Sequence, residues 1–363
     1  MQRRSFLKTA AAGASASAIA APAVAQSTEQ PALSWRMASS FPKTIDTVFG
    51  AGERFTKRVA ALTGGKFVIR AFAAGDIVPG LQVLDAVQAG TVEMGHTPSY
   101  YYFGKDPSFA FDCAVPFGLT SRQQTAWFDR GGGRELMHEF LKPYGVLNFM
   151  AGNTGTQMGG WYRREIKTAA EMRGLKIRIA GFAGRVMERL GAVPQQIPAG
   201  DVYAALEKGT IDAAEWVGPY DDEKLGLAKV APHYYAPGWW EPGPQLSLYI
   251  NQKNWDRLPK SYQAAVEAAS YECHVGMQAE YDARNPAALA RLLKNGAKLH
   301  NFSKDIMDAS YQAANALMEE EAARNPRFKK IYEPWKRFRQ DQNQWASVAE
   351  ETMQAYLIGI SRR

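Results

Sequence analysis

The feature that most constrains the fold is an alternation of short apolar segments with amphipathic ones, separated by connections of only a few residues. Residues 33–37 and 66–70 have the composition of strands, and residues 47–62 between them carry apolar side chains at helical spacing. Further strands are predicted at 92–96, 145–150, 175–179, 211–216 and 245–250, and further helices at 79–89 and 202–208. Strands and helices that alternate in this way predict an α/β fold with largely parallel strands.

The pattern of the last third of the chain predicts helices instead. Residues 255–318 are rich in alanine, and the Asn-Pro pairs at 285–286 and 325–326 are typical of helix starts. The segment 326–363 predicts a long C-terminal helix, because its apolar residues form a stripe on one side of a helix. They are Phe328, Ile331, Trp335, Phe338, Trp345, Val348, Thr352 and Tyr356. The stripe predicts either packing on the protein's own core or a homodimer contact, and its composition does not decide between them.

The first 25 residues have the pattern of an export signal. Arg3 and Arg4 precede an apolar stretch of small residues that ends in the small-x-small sequence of residues 23–25, and such an arginine pair is typical of twin-arginine signals. No later segment approaches the ~20 apolar residues that a membrane-spanning helix needs. We therefore expect residues 1–25 to be removed during export and the remainder to act in a bacterial periplasm.

Charge and motif content exclude several functions. Loss of the three basic residues of the export signal lowers the formal net charge from +7 to +4, and no basic run is interleaved with aromatic residues, so nucleic acid is not an expected partner. The five histidines are scattered, and no zinc, serine-nucleophile or Walker motif is present, so we expect no enzyme. His96, near a predicted cleft edge, is the one histidine to examine further. Cys113 and Cys273 are expected to be free buried thiols.

A long segment in the middle of the chain resembles a known family. Residues 174–179 read Gly-Leu-Lys-Ile-Arg-Ile, residues 191–194 read Gly-Ala-Val-Pro, and residues 200–216 read Gly-Asp-Val-Tyr-Ala-Ala-Leu-Glu-Lys-Gly-Thr-Ile-Asp-Ala-Ala-Glu-Trp. These segments resemble the solute-binding proteins of tripartite ATP-independent periplasmic (TRAP) transporters, and the resemblance extends over nearly all of the chain after the export signal. The other matching segments, in the expected order, are 41–42, 64–66 and 93–95.

The resemblance implies two α/β lobes joined by crossing segments, with a ligand cleft between them. Residues 26–152 and 245–325 would form the first lobe and hinge helices, residues 153–244 the second lobe, and residues 326–363 the C-terminal helical extension. The resemblance also implies that the lobes close over a small organic acid. The acid would then pass unchanged to the subunits of a cation-coupled membrane permease.

One departure from the family pattern bears on the ligand. Many members have Gly-Gln-Glu-Asn where residues 213–216 here are Ala-Ala-Glu-Trp. With the long aromatic C-terminal helix, this resembles the branch that binds 2-oxo acids such as pyruvate, often with a metal cation, rather than C4-dicarboxylates. Lactate, another hydroxy acid or an aromatic acid are alternatives in the same fold. A sensor module, or a secreted enzyme that uses Glu215 as a base on a keto acid, are alternatives of other classes.

Arg178 is the principal candidate for contact with the ligand. On its predicted strand it points away from Ile177 and Ile179, and at the carboxyl end of a strand it would face the crevice where α/β folds bind ligands. A buried arginine is costly unless it is paired, and its planar guanidinium can hold a carboxylate with two parallel hydrogen bonds. The residues alone leave a structural pairing equally open, whereas the family resemblance identifies this arginine as the carboxylate clamp.

Glu215 is expected to need a cation, because a buried carboxylate beside a carboxylate ligand would repel it. Na⁺, or alternatively Ca²⁺, takes hard oxygen ligands. Glu215, the side chain of Gln157 and the backbone oxygen of Trp216 could supply them, and Glu241 is a further candidate. A surface carboxylate or a salt bridge between lobes is the alternative for each glutamate.

Three consecutive tyrosines, Tyr100, Tyr101 and Tyr102, follow the third predicted strand. They cannot all point inward from one element, so one or two of them, with Tyr100 and Tyr101 preferred, are expected to line the cleft. The remaining candidates for contact with the ligand are Gln157, Asn153, Phe182 and Trp216.

Overall fold

Two mixed β-sheets organise the computed structural model, which describes residues 30–361. The strands are β1 (Leu33–Ser39), β2 (Phe67–Phe72), β3 (Met94–Thr97), β4 (Val146–Asn153), β5 (Trp161–Tyr162), β6 (Lys176–Arg178), β7 (Val193–Gln195), β8 (Ala213–Ala214), β9 (His233–Ala236), β10 (Gln245–Asn251) and β11 (Lys298–Asn301). The helices are α1 (Val48–Leu62), α2 (Val83–Gln88), α3 (Ser121–Arg130), α4 (Gly133–Leu141), α5 (Gly181–Arg189), α6 (Val202–Glu207), α7 (Pro219–Leu225), α8 (Gln252–Arg257), α9 (Lys260–Lys294), α10 (Lys304–Arg324), α11 (Pro326–Val348) and α12 (Glu350–Ser361). The predicted export signal, residues 1–25, lies outside the described residues.

The two sheets belong to two lobes that the chain enters in turn. The first sheet has the order β2-β1-β3-β10-β4 and the second has the order β11-β9-β5-β8-β6-β7. The chain leaves the first sheet through β4 and returns to it through β10, and the ladder between these two strands ends at the pair Asn153 and Gln245. This confirms the predicted α/β fold of two lobes.

The prediction of largely parallel strands is only partly right. The pairs β1–β2, β1–β3, β6–β7, β6–β8 and β9–β11 are parallel. β10 is antiparallel to both of its neighbours, and so is β5. These are strands on which the chain passes between the lobes, and a chain that leaves a sheet on one strand and returns on the adjacent one must run in the opposite direction.

The core lies on both faces of the first sheet. Every residue of β4 and of β10 is buried, as expected for central strands that are covered on both sides. Leu147 and Phe149 face one apolar cluster, and Val146 and Met150 face the other. The crossing strands are therefore held firmly at the end that belongs to the first lobe.

The predicted division of the chain into lobes needs a correction for residues 298–324, because α10 packs on α5 of the second lobe and β11 belongs to the second sheet. Residues 298–301 were assigned to the first lobe, but as β11 they pair with β9 in the second sheet. Lys298 N–H also donates to the carbonyl of Pro232 at 2.8 Å. The long helix α9 packs against α1 and β4 and also against α7, so it carries the chain back from the first lobe to the second before β11 begins.

Of the two predicted Asn-Pro helix starts, one is confirmed and one is wrong. Asn325 caps α11, since its Oδ1 accepts from the N–H groups of Arg327 and Phe328 at 3.1 and 3.2 Å. Pro286, by contrast, lies inside α9, which continues through it. The side chain of Asn285 is used elsewhere, because its Oδ1 accepts from Tyr220 N–H at 3.1 Å.

The C-terminal extension is two helices rather than one, and its apolar stripe divides at the break. Ala349 separates α11 from α12 with φ −100° and ψ −88°. Before the break, Phe328 and Trp335 are buried against Phe111, with ring centroids 4.8 and 5.5 Å away. From Trp345 onward the apolar side chains are exposed. Packing on the protein's own core therefore accounts for the first part of the stripe only.

Cys113 and Cys273 are both free and buried, as predicted. None of the helices within residues 30–361 combines the length and apolar character that crossing a bilayer requires.

The cap of α11 gives a test of this arrangement. Replacing Asn325 with alanine should lower the free energy of unfolding by about 1 kcal/mol, because two N–H groups lose their acceptor. The bond from Asn325 Nδ2 to Asp106 Oδ1, 3.1 Å long, is lost as well. Asn315→Ala on α10 is the control and should leave stability unchanged or slightly higher. Urea denaturation followed by circular dichroism measures both, and equal midpoints would contradict the cap.

Candidate functional site

Arg178 occupies the carboxyl end of β6, where sequence analysis placed it. Its side chain is 1% exposed. Nε donates to the carbonyl of Ile197 at 3.1 Å, and Nη1 donates to the carbonyl of Glu215 at 2.9 Å and to the Glu215 carboxylate. Nη2 is buried and has no hydrogen-bond partner. The guanidinium is therefore fixed by protein groups on one side and has an unused donor on the other.

Glu215 is brought to Arg178 by the pairing of β6 with β8. Arg178 lies opposite Ala214 in this ladder, so the residue after β8 falls beside the guanidinium. Glu215 N–H donates to the carbonyl of Arg178 at 3.1 Å, while Oε2 is buried without a partner. Burial raises the pKa of Glu215 to about 7, and the charge of Arg178 opposes this rise. Burial lowers the pKa of Arg178, but the combined charges of Glu215, Tyr101, Tyr100 and Glu241 raise it above its ordinary value.

Gln157 and Glu241 are held together by the backbone of the two segments that connect the sheets. Gln157 N–H donates to the carbonyl of Glu241 at 3.1 Å, and the Gln157 Nε2 group donates to Thr154 Oγ1 at 3.3 Å. Gln157 Oε1 and Glu241 Oε2 are both buried without a partner. Burial and the nearby charge of Glu215 raise the pKa of Glu241 well above its ordinary value. The charge of Arg178 and hydrogen bonds from Tyr100 and Gln157 oppose this rise but do not cancel it.

A cavity with an empty volume of about 320 Å³, part of it open to solvent, lies between the lobes. Of the four residues above, Gln157 lines this cavity, whereas Arg178, Glu215 and Glu241 do not. Four predicted residues, Tyr100, Tyr101, Gln157 and Trp216, form part of its wall. The apolar part of the wall includes Phe41, Val48, Cys113, Val217 and Leu246. Since both lobes contribute to the wall and the charged groups are buried, this is a closed arrangement of the lobes.

The three tyrosines correct one expectation. All three are buried, because the short 3₁₀ helix Ser99–Tyr102 that carries them is covered on more than one side. Tyr100 and Tyr101 line the cavity as expected. Tyr102 points into the first lobe, where its hydroxyl accepts from Leu84 N–H at 3.0 Å and lies 3.0 Å from Thr97 Oγ1.

Trp216 and Asn153 lie close to the site in different roles. The ring of Trp216 packs under the guanidinium of Arg178, with its centroid 5.0 Å from Cζ. Asn153 Nδ2 donates to the carbonyl of Gly243 at 3.0 Å and Oδ1 accepts from Gly155 N–H at 2.9 Å. Both ends of this amide are therefore committed to the backbone where the chain crosses between the lobes.

Phe182 and His96 are buried inside the protein and do not line the cavity. Phe182 is buried against Phe103, with ring centroids 5.4 Å apart, and is not part of the cavity wall. His96 is buried in the first lobe, where Nε2 lies 3.1 Å from the carbonyl oxygen of Ala151. Burial lowers the pKa of His96 to about 4, so this ring is neutral near pH 7.

The residues that sequence reasoning missed are the apolar ones of the cavity wall. Val48 and Val217, for example, stand in apolar runs that are indistinguishable from core segments. Only the three-dimensional junction of the two lobes makes them a wall. No local signal in the sequence separates them from residues buried inside one lobe.

One glycine allows the strands beside Glu215 to approach closely. A Cβ atom at Gly160 would lie 2.5 Å from the carbonyl oxygen of Ala214 and 2.9 Å from Cα of Glu215. The φ angle of Gly160 is +78°, which side chains also disfavour. The position of Glu215 therefore depends on the absence of a side chain at residue 160.

The oxygens at this site suit a hard cation. Gln157 Oε1, Glu215 Oε2 and Glu241 Oε2 are buried acceptors with no partner, and such oxygens are the ligands that Na⁺ and Ca²⁺ prefer. Across residues 30–361 there is no cluster of three or more His, Cys, Asp or Glu with metal-binding geometry. A site made of two carboxylates, one amide and backbone oxygen is compatible with that finding.

The sequence matches the family described as bacterial extracellular solute-binding protein, family 7, over residues 38–325. It is 51% identical to a monocarboxylate 2-oxoacid-binding periplasmic protein of Nostoc sp., over 96% of this chain and 97% of that protein. A TRAP transporter solute-binding protein from Bordetella bronchiseptica is 51% identical, with a TM-score of 0.91 over 92% of this chain and 99% of that one. It crystallised as a mixed-occupancy dimer, with copurified calcium and picolinate in one site and the other site empty.

A second solved structure is that of a TRAP periplasmic solute-binding protein from Pseudoalteromonas atlantica. It is 39% identical to this chain, with a TM-score of 0.86 over 89% of this chain and 98% of that one. That protein was crystallised with bound sodium and pyruvate.

The buried ion pair gives a prediction for the ligand-free protein. At pH 8, Arg178→Met should lower the free energy of unfolding by about 3 kcal/mol, because Glu215 loses its charged partner and must take up a proton to stay buried. Adding Glu215→Gln to this variant should recover most of the loss. Urea denaturation in the presence of a chelator measures both.

The exposed pair of Arg189 and Glu320 is the matched control, since its side chains are 38% and 55% accessible. Arg189→Met should cost less than about 1 kcal/mol. A loss in Arg178→Met that Glu215→Gln does not recover would show that packing, rather than the lost charge pair, is responsible.

Proposed function

Because the chain belongs to bacterial extracellular solute-binding protein family 7, we propose that it captures a 2-oxo monocarboxylate such as pyruvate, together with a metal cation, between its lobes. It is a periplasmic TRAP solute-binding protein. Such proteins bind small organic acids and work with membrane permease subunits. The observation that carries the proposal is a cavity between the lobes, lined by Gln157 and Trp216, together with one buried guanidinium donor and three buried carboxylate or amide oxygens that have no hydrogen-bond partner.

The carboxylate of the ligand is assigned to Arg178. Its Nη2 group is the unused donor, and a buried guanidinium binds a carboxylate far more strongly than an exposed one, because little water competes for it. Tyr100 and Tyr101 supply rings and hydroxyl groups on the opposite lobe. A ligand that contacts both lobes stabilises their closed arrangement.

The apolar wall accounts for the preference for a monocarboxylate. Phe41, Val48 and Leu246 offer no charged partner for a second carboxylate at the far end of the ligand. A C4-dicarboxylate would bury that charge at a large cost in free energy. The short apolar tail of pyruvate, or of a slightly longer 2-oxo acid, fits the same wall.

A cation fits the other half of the site. Gln157, Glu215 and Glu241, with the carbonyl oxygen of Trp216, would hold it. The cation would supply positive charge beside the carboxylate and ketone oxygens of the ligand. Sodium is our first choice and calcium the alternative, since a similar protein was crystallised with each.

The ligand is proposed to leave unchanged. The members of this family are binding proteins, and Glu215, the carboxylate that a keto-acid enzyme could use as a base, is already paired with Arg178. Turnover of pyruvate by the purified protein would overturn this part of the proposal.

Ligand binding can be measured through tryptophan fluorescence, because Trp216 packs on Arg178 at the cavity. Pyruvate should give a saturable change in the micromolar range once Na⁺ or Ca²⁺ is returned to the chelated protein. It should give a much weaker response without a cation. Arg178→Lys should abolish the response, since lysine cannot form the two parallel bonds.

Succinate, lactate and picolinate are the comparison ligands for this titration. Preference for succinate over pyruvate would overturn the assignment of a monocarboxylate. Equal binding with and without a cation would overturn the cation site and leave the clamp in place.

We also propose that the end of the C-terminal extension forms a homodimer contact. Met353, Tyr356, Leu357, Ile358 and Ile360 on α12 are between 47% and 67% exposed. Such a concentration of apolar side chains on one exposed helix is typical of a protein interface. The similar Bordetella protein was crystallised as a dimer.

This contact predicts the effect of charges on α12. Met353→Glu combined with Tyr356→Glu should convert a dimer to a monomer in size-exclusion chromatography with light scattering. Gln354→Glu, exposed on the same helix, is the control and should leave the dimer intact. A wild-type protein that is monomeric at every concentration tested would contradict the proposal.

A further inference from the structure

We propose that Asp46 and Thr47, in the loop before α1, act with Tyr220, Asp221 and Lys224 of α7 and Tyr281 of α9 as a clasp that holds the lobes closed. The residues of the clasp do not contact the ligand. They set its affinity by changing the fraction of protein molecules in which the lobes are closed. This inference rests on the proposed function, in which closure accompanies ligand binding.

The buried half of the clasp is a triangle of three side chains in which two hydroxyl groups donate to one carboxylate. Thr47 Oγ1 donates to Asp221 Oδ1 at 2.5 Å, and the hydroxyl of Tyr281 on α9 lies 2.6 Å from Asp221 Oδ2 and 3.0 Å from Thr47 Oγ1. All three side chains are fully buried. A buried carboxylate that loses such donors must recover them from water, which it can do only if the lobes separate.

The outer half of the clasp is an exposed ionic cluster directly beside the triangle. Asp46 contacts the ammonium group of Lys224, accepts from the hydroxyl of Tyr220 at 3.2 Å and lies 3.5 Å from Nη1 of Arg284. Exposed ion pairs contribute little to stability. The buried triangle is therefore the half that holds the lobes.

The clasp is continuous with the ligand cavity along both chains. Thr47 is followed by Val48, which lines the cavity. On the other lobe, Trp216 and Val217 line the cavity a few residues before Asp221. A movement that opens the cavity between these two segments would also separate Thr47 from Asp221. The same motion thus exposes the ligand and breaks the clasp.

The helix α9 provides a point of bending next to the clasp. Pro286 has no N–H group, so the carbonyl of Asp282 has no helical partner there. Tyr220 N–H is bound to the side chain of Asn285, which fastens α7 to α9 at this weak point. Tyr281 lies just over one turn earlier in the helix and completes the triangle.

The neighbouring aspartate, Asp222, offers a matched comparison. Its Oδ2 accepts from Trp161 Nε1 at 2.9 Å and from the hydroxyl of Tyr234 at 2.7 Å. Both partners belong to the second sheet, so these bonds stay within one lobe. Asp221 and Asp222 are equally buried and each binds a tyrosine hydroxyl, yet only Asp221 also binds Thr47 of the first lobe.

The test compares Thr47→Val with Tyr234→Phe in the full chain. Thr47→Val keeps the shape of the side chain and removes the interlobe donor, whereas Tyr234→Phe removes a donor within the second lobe. The dissociation constant for pyruvate should rise about tenfold in Thr47→Val, because a hydrogen bond to a charged group is lost from the closed state alone. It should stay within about twofold of wild type in Tyr234→Phe, because that bond exists in both states.

A second measurement separates this inference from the proposed function. Small-angle X-ray scattering of the ligand-free proteins should give a larger radius of gyration for Thr47→Val than for wild type or Tyr234→Phe. If the wild-type protein binds no 2-oxo acid, the proposed function fails, and the radii of gyration alone test the clasp. Equal radii in all three proteins would then overturn the clasp.

Two further outcomes decide the matter when pyruvate does bind. Unchanged affinity in Thr47→Val would overturn the clasp, and so would an equal loss of affinity in Tyr234→Phe. If Thr47→Val does not fold, as judged by its melting curve, Tyr281→Phe replaces it, with the same expected loss of affinity.

Discussion

The buried guanidinium of Arg178 is the interaction on which the site and the second lobe both depend. An arginine at 1% exposure is tolerated only if its charge and its donors are matched. The register of β6 with β8 places Glu215 beside it, the carbonyl of Ile197 takes Nε, and the ring of Trp216 covers one face. The close approach permitted at Gly160 serves the same arrangement, because it lets β5 lie against the residue before Glu215.

The buried donor and acceptors that have no partner in the protein explain why a ligand and a cation would bind together. The site has a surplus donor in Nη2 of Arg178 and surplus acceptors in Gln157, Glu215 and Glu241. An organic anion alone would satisfy the donor while adding negative charge next to two buried carboxylates. A cation alone would satisfy the carboxylates while adding positive charge next to the guanidinium. Only the pair relieves both, so each partner is expected to strengthen the binding of the other.

The sequence predicts those parts of the structure that local chemistry determines. The α/β alternation, the position of Arg178 at a strand end, and the cap at Asn325 all follow from residue patterns within a few positions. The antiparallel crossing strands and the return of β11 to the second sheet do not, because they depend on contacts between segments far apart in the chain. For the same reason Val48 reads as an ordinary core residue, although it lines the cavity. The continuation of α9 through Pro286 was missed because a tertiary contact at Asn285 outweighs the usual local preference.

Four connections between the lobes limit how they can move, and the last of them is the junction of α10, which packs on α5, with α11, which packs on α3 and α4. The strands β4 and β10 pair with each other up to Asn153 and Gln245, so they can bend only together. The third connection, α9, is weakened at Pro286. A rotation of one lobe against the other that bends these connections would open or close the cavity as a whole. The two adjacent aspartates on α7 bind different lobes. Asp222 binds Tyr234 of the second sheet, whereas Asp221 binds Thr47 of the first lobe. In the proposed function, ligand contacts and closure contacts lie on the same short segments, so we expect free energy gained at one to reach the other.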